Sequence, residues 1–158
     1  MFTCAKIRHD GTYLGSHLTS NDYYCENERV KGKWIGLAAE RFGIEGDAIG
    51  AGDTAFEALR QNRIPYGNDK LTPLRKEEGV RFFDFQCSAQ KSVSVMNDQR
   101  LYEAHDKAAT VAFAELERFA AFRSGKSREP EISGNLCAAA FRHDASRSLD
   151  PQLQYSHK

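Results

Sequence analysis

Residues 80–125 read VRFFDFQCSAQKSVSVMNDQRLYEAHDKAATVAFAELERFAAFRSG and hold the two elements that decide the fold. Val80 to Phe85 is an apolar run broken only by charged side chains, and it reads as a strand. Beyond it, Leu101, Ala109, Ala112, Phe113, Leu116 and Ala120 keep to one apolar face at helical spacing. Asn97 or Asp98 can cap that helix, and Ser124-Gly125 can end it. Upstream, Asp53 suits the N-cap of a helix carrying Phe56, Ala58 and Leu59, after which Pro65, Gly67, Asn68 and Pro73 mark a turn-rich connection. Trp34, Leu37, Ala38 and Phe42 recur at helical spacing before Gly43, which predicts a short helix. Phe2 to Ile7 reads as a first strand, and a polar loop through His9, Gly11, Gly15 and Ser20 delivers Tyr23-Tyr24. Downstream, Glu131 to Phe141 reads as one strand leading into the polar segment His143 to Arg147. The last fifteen residues, 144–158, are polar and promise no closing element, which reads as a fragment of something larger. Strands and helices mixed without a βαβ rhythm predict an α+β domain, an antiparallel sheet with helices on one face.

A chain of 158 residues has room for one domain, so residues 1–158 are expected to form a single unit and a multidomain enzyme is excluded. Lys plus Arg and Asp plus Glu both total 22, so net charge is zero and any recognition of nucleic acid must be local. Hydrophobic residues are 41% and charged residues 28%, and no apolar run reaches the roughly 18 residues of a membrane span. The N-terminus is too polar for a signal peptide, which makes the cytoplasm the expected compartment. Cys4, Cys25, Cys87 and Cys137 lack the close spacing of zinc or redox motifs and are expected to be buried or half-buried thiols.

Four segments could carry chemistry. Tyr23-Tyr24 lies among Asn21, Asp22, Glu26 and Asn27 and is either a packing lid or a nucleophile. A phenol with a pKa near ~10 needs a metal or a base nearby to attack phosphorus. His143 and Asp144, with Asp150 and His157 downstream, gather imidazole and carboxylate donors that suit a divalent ion, or else form a polar hairpin satisfied by its neighbours. Asp84 either faces solvent or points into a site. The small, hydroxylated run Cys87 to Ser94, with Lys91, can hold phosphate through backbone amides or serve as an ordinary strand-to-helix junction. Arg60, Arg63, Lys70, Arg75, Lys76 and Arg81 concentrate positive charge before the Asp84 strand, as a DNA contact or a solvated face. His9, His17 and His105 read as surface or helix-face residues.

Taken in order, these segments resemble the N-terminal relaxase domain of conjugative transfer proteins of the TrwC/TraI type, the MobF class. Tyr23-Tyr24 is similar to the family's tyrosine pair, and Gly32 to Ile44 is similar to its G-x-W-x-G-x-(G/A)-A-E-x-(L/F)-G-(L/I) segment. Asp84 to Val95 resembles D-L-T-F-S-A-P-K-S-V-S-V, with Gln90 where Pro is usual. His105-Asp106 matches the family's A-H-D, and Gly134-Asn135-Leu136 through Phe141 to Arg147 resembles G-N-L…F-x-H-D-T-S-R. The resemblance implies a central antiparallel sheet flanked by helices, incomplete at its C-terminal end. It also implies a partner, single-stranded DNA at an origin of transfer, together with other conjugation proteins. In plasmid mobilisation a tyrosine then nicks one strand, leaving a 5′-phosphotyrosyl link, with a divalent metal (Mg²⁺ or Mn²⁺) held by three histidines. Carried onto this chain, Tyr23 is the primary nucleophile, Tyr24 its neighbour or second-step partner, Asp84 the supporting carboxylate and His143 the first metal ligand. The candidate DNA-binding set is Lys91, Arg75, Lys76, Arg81 and Arg147, of which Arg75, Lys76 and Arg81 come from the concentration of positive charge before the Asp84 strand.

The family continues D-P-x-L-H-x-H, whereas this chain has Asp150-Pro151-Gln152-Leu153-Gln154-Tyr155-Ser156-His157-Lys158. Gln154 takes the place of a metal histidine, and His157, one position late, is the remaining candidate ligand beside His143. Two function classes follow: a relaxase-type DNA strand transferase, or an impaired remnant that at most binds DNA. The second predicts poor nicking. A metal phosphohydrolase built on His143-Asp144 would need further His and Asp ligands.

Overall fold

The structure, a computed structural model, describes residues 1–7, 32–49, 53–72, 79–80, 82–123, 129–145 and 151–158. Strands β1 (Phe2–Ile7), β2 (Gly32–Ile35), β3 (Ala48–Ile49), β4 (Phe82–Ser88), β7 (Ala138–Ala145) and β8 (Pro151–His157) form one sheet in the order β1-β4-β8-β7-β2-β3. Every pairing in it is antiparallel. Helices α1 (Leu37–Arg41) and α2 (Thr54–Arg60) lie between β2 and β4, and α3 (Lys91–Met96) and α4 (Gln99–Arg118) follow β4. After α4 comes a separate two-stranded ribbon, β5 (Ala121–Arg123) and β6 (Pro130–Ile132).

The helices flank the sheet on both faces rather than on one. Against one face, Phe56 of α2 packs between Trp34 and Phe82, with ring centroids 6.2 and 5.7 Å away. Ala39, Ile44, Ile49, Ala55, Ala139 and Phe141 complete that core. Against the other face lies α4, whose Phe113 stacks on β8, and α3, whose buried Ser94 accepts the Leu153 N–H on its hydroxyl at 2.9 Å. Asp98 caps α4 through the Arg100 N–H at 2.9 Å, as its spacing predicts. Asp53 caps α2 through the Phe56 N–H at 2.8 Å.

Four expectations need correction. Trp34 belongs to β2, opposite Ala139, and the helix after it covers only Leu37–Arg41. Its chain must extend there because Gly36 adopts φ 102, ψ 158, a conformation no helix contains. Helix α4 ends at Arg118, before Ser124, since Ala121 already pairs with Ile132 in the ribbon. Glu131 to Phe141 is two strands rather than one, broken around Gly134 at φ 56. The C-terminal segment does close the sheet: β8 sits between β4 and β7, with Leu153, Ser156 and His157 buried.

Candidate active site

The central strands β4, β8 and β7 set the site by register. Gln86 faces Ser156, which faces Phe141, and Ser88 faces Gln154, which faces His143. Side chains alternate along a strand, so Asp84, Gln86, Gln154, Ser156 and His143 share one face. Phe85, Cys87, Arg142, Tyr155 and His157 share the other. A register shift follows between His143 and Ala145.

Asp84 resolves into a tied carboxylate. Its Oδ1 accepts from the Ser156 hydroxyl at 2.8 Å and its Oδ2 from the Gln86 amide at 3.0 Å. Ser156 is buried, while Asp84, Gln154 and His143 are half-buried at the rim of the same polar row.

His157 is placed elsewhere, and the expectation that it joins His143 at a metal is corrected. It is 2% exposed and stacks on Phe113 at 5.2 Å and on Tyr155 at 5.9 Å, on the α4 side of the sheet. One residue along a strand reverses the face, so sequence proximity to Gln154 does not bring His157 to His143. Asp144 is likewise turned away, engaging Arg142 at 3.3 Å.

Burial pushes the His157 pKa below the ordinary imidazole value, against smaller opposing effects of a hydrogen bond with the Phe85 backbone and of Asp84. The ring is therefore neutral in the folded chain at pH values where the unfolded chain is already protonated. Stability from its neutral burial is present above about pH 6.5, begins to fall as the pH drops through that value, and is fully lost below the native pKa. Thermal melts between pH 7.5 and 5 are expected to show a falling midpoint, with His157→Phe flattening the slope. An unchanged slope in that variant would place the sensitivity elsewhere.

His105, expected on the surface or a helix face, and its neighbour Asp106 both tie α4 to the sheet. His105 Nε2 lies 3.2 Å from the Cys87 carbonyl of β4, and its ring lies 6.1 Å from Tyr155 of β8. Asp106 meets Arg142 of β7 at 3.5 Å. Burial first, then the Asp106 charge, raises the Tyr155 phenol, so it remains a neutral wedge under the helix. The missed signal is spacing: positions 105, 109 and 113 step along one helical stripe, and Ala109 and Phe113 are buried. Gln86 and Ser156 were missed because a lone polar residue in a strand carries no motif.

Lys91 is exposed at the first turn of α3. Arg60 pairs with Glu57 at 2.7 Å, and Arg63 and Lys70 sit opposite each other in an isolated bridge. Cys87 and Cys137 are half-buried as expected, whereas Cys4 is exposed. Burial pushes the Cys137 thiol up to about 12, so it stays protonated. Tyr23, Tyr24, Cys25, Arg75, Lys76, Arg81, Arg147 and Asp150 lie outside the described residues. Among the described residues no three His, Cys, Asp or Glu side chains gather as metal ligands, and no helix is long and apolar enough to cross a membrane.

The comparisons with known proteins place this antiparallel sheet, with helices on both of its faces, among the relaxases. The TrwC relaxase family matches residues 8–157, and this chain belongs to it. It is 34% identical, over 97% of its length, to the multifunctional conjugation protein TraI of Escherichia coli K12, covering 9% of that protein. A second Escherichia coli TraI is 35% identical over 88% of the chain. Among solved structures, the conjugative relaxase TrwC in complex with OriT DNA, metal-free, overlays 99% of the chain with a TM-score of 0.78 at 26% identity. A metal-bound structure of the same complex overlays equally well. The chain spans about half of those solved chains, 55%, and less than a tenth of the curated relatives.

Tested against the ion of the metal-bound relative, the donor set here does not fit. The face offers one imidazole where the family motif has three, with an amide and a hydroxyl at the other two positions.

Proposed function

We propose that this chain is a relaxase domain that binds single-stranded DNA at an origin of transfer in the cytoplasm and transfers one strand to a tyrosine. The phenolate oxygen of Tyr23 attacks phosphorus, the bond from phosphorus to the 3′ oxygen breaks, and the released 3′ oxygen takes a proton. A 5′-phosphotyrosyl link remains, which holds the bond energy for rejoining by the reverse step. Tyr24 serves as neighbour or second-step nucleophile. Asp84 supports the attack: an ionised carboxylate has about four acceptor positions, and Ser156 and Gln86 fill two of them. That leaves room for a phenol proton. Lys91, Arg75, Lys76, Arg81 and Arg147 supply phosphate contacts that fix the strand's register.

The observation that carries this reading is the placement of Asp84 and His143 on one sheet face, in a fold whose solved relatives hold OriT DNA. A second reading, a DNA-binding remnant of low activity, is favoured by Gln154 and Ser156 at the two histidine positions.

One experiment separates them. The chain is incubated with single-stranded oligonucleotides carrying candidate transfer origins and Mg²⁺ or Mn²⁺, then run on a denaturing gel. A covalent adduct that disappears in the Tyr23→Phe, Tyr24→Phe double variant establishes the transferase. Binding without an adduct, with a log–log salt slope of about 0.7 per phosphate contacted, establishes the remnant. Salt-insensitive binding would sink both.

A further inference from the structure

We infer that the Asp84 face of this chain carries a hydrogen-bonded polar row where an ion site would stand, and that the chain engages single-stranded DNA without a resident divalent ion. The DNA clause rests on the proposed function; the metal clause stands by itself.

The register identifies the exchange position by position. Pro151 and Leu153 match the family's D-P-x-L, which puts its two histidines at Gln154 and Ser156. Both β8 positions lie on the His143 face, one directly across from His143 and the other directly across from Phe141. Side chains directly opposite in an antiparallel pair stand about 5 Å apart, close enough for three imidazoles to converge. Here those two positions carry an amide and a hydroxyl instead. Both substitutes are neutral oxygen donors, poor replacements for imidazole at a transition metal.

The substitutes are also engaged. Ser156, 3% exposed, gives its proton to Asp84 Oδ1 at 2.8 Å, and Gln154 Oε1 lies 3.5 Å from the Gln152 amide. Asp84 is the one carboxylate on this face among the described residues, and each of its oxygens already accepts a hydrogen bond. A hard ion such as Mg²⁺ therefore finds on this face a single carboxylate, the fewest its sites elsewhere use together with substrate phosphate.

His157 cannot compensate. Bringing it onto this face requires β8 to slip by one residue, which turns every side chain of the strand over. Leu153, 1% exposed, would leave the core, and Ser156 would lose Asp84. The Phe113 stack on His157 would be broken as well.

The test uses the whole 158-residue chain. Ni²⁺ and Mn²⁺ are titrated calorimetrically into the wild type, His143→Ala, Gln154→His, and Gln154→His with Ser156→His. The wild type is expected to show no binding that His143→Ala removes. Gln154→His should gain about 10-fold in Ni²⁺ affinity, and the double variant about 100-fold or more. Because Ser156 is buried, the single variant carries the test if the double variant fails to fold. Micromolar wild-type binding that disappears in His143→Ala would overturn the inference. So would a folded Gln154→His that gains nothing, since the exchange would then not be what emptied the site of ligands. Oligonucleotide binding by the wild type should be unchanged by EDTA, and EDTA-sensitive binding counts against the inference. Absence of any oligonucleotide binding overturns the proposed function instead, and the metal titration still decides the metal clause.

Discussion

Replacing Phe141 by alanine is expected to lower the stability of the chain by about 3–5 kcal/mol, the usual cost of emptying a buried phenyl site. Phe141 is 2% exposed and belongs to the cluster that holds Trp34, Ile44, Ile49 and Phe56. Its ring occupies the room left by the missing side chain of Gly32, where a Cβ would stand only 2.3 Å from the ring edge. Neither neighbour can collapse into the hole, because Gly32 has no side chain and Ser156 opposite is held by Asp84. The loss should therefore lie at the upper end of the range. The same cavity opens beside the Asp84–Ser156 hydrogen bond and two residues from His143, so site chemistry suffers along with stability. Urea unfolding followed by circular dichroism measures the first effect. Phe141→Leu, which keeps most of the volume, should stay within about 1.5 kcal/mol of the wild type. A Phe141→Ala loss below about 1 kcal/mol would mean that the ring is not packed as described.

What the sequence makes legible follows from which signals are local. The long helix is legible because five apolar positions, from Leu101 to Leu116, repeat at one period and Asp98 stands where a cap must stand. Asp84 is legible as a candidate because a carboxylate in an apolar run requires an explanation. The Gly32-x-Trp34-x-Gly36 pattern is legible as a motif but not as a strand. Trp34, Leu37, Ala38 and Phe42 fit a helical period by coincidence, since the first belongs to β2 and the next two to a helix of only five residues. In space the motif has a physical reason at each position: a ring seated on Gly32, Trp34 in the core, and a backbone at Gly36 that side chains avoid. The C-terminal segment is the instructive failure. Leu153, Tyr155 and His157 alternate with Gln152, Gln154 and Ser156, which is a strand period, but polar residues occupy both faces and hide it. Only the pairing with β4 and β7 says which face is the site, and it separates two histidines that composition groups together.

The other large effect is expected at Gly36. Alanine there meets two independent penalties. With φ 102 and ψ 158 the residue lies in a region essentially reserved for glycine, worth about 1–3 kcal/mol. Its new Cβ would also stand 2.4 Å from the Leu136 carbonyl oxygen, a backbone atom, and 3.1 Å from Glu117 Oε1. That carboxylate oxygen accepts both the Leu37 N–H at 2.8 Å and the Leu136 N–H at 2.9 Å, while Leu136 O accepts the Ala38 N–H at 2.9 Å. The methyl group therefore forces apart the start of α1, the end of α4 and the segment leading into β7. Overpacking of this kind adds about 1–3 kcal/mol. A chain of this size melts roughly 2–4 °C lower per kcal/mol lost, so Gly36→Ala should fall by about 4–24 °C. Gly43→Ala supplies the control. Gly43 also has positive φ, 70, but nothing lies within 4 Å of its Cβ position, so it should lose only the left-handed penalty of about 1–2 kcal/mol. If the two variants melt together, close approach to Leu136 contributes nothing and the three-way junction is looser than its hydrogen bonds imply. If Gly36→Ala falls well below Gly43→Ala, the close approach to Leu136 stabilises the junction that leads into β7, the strand that carries His143.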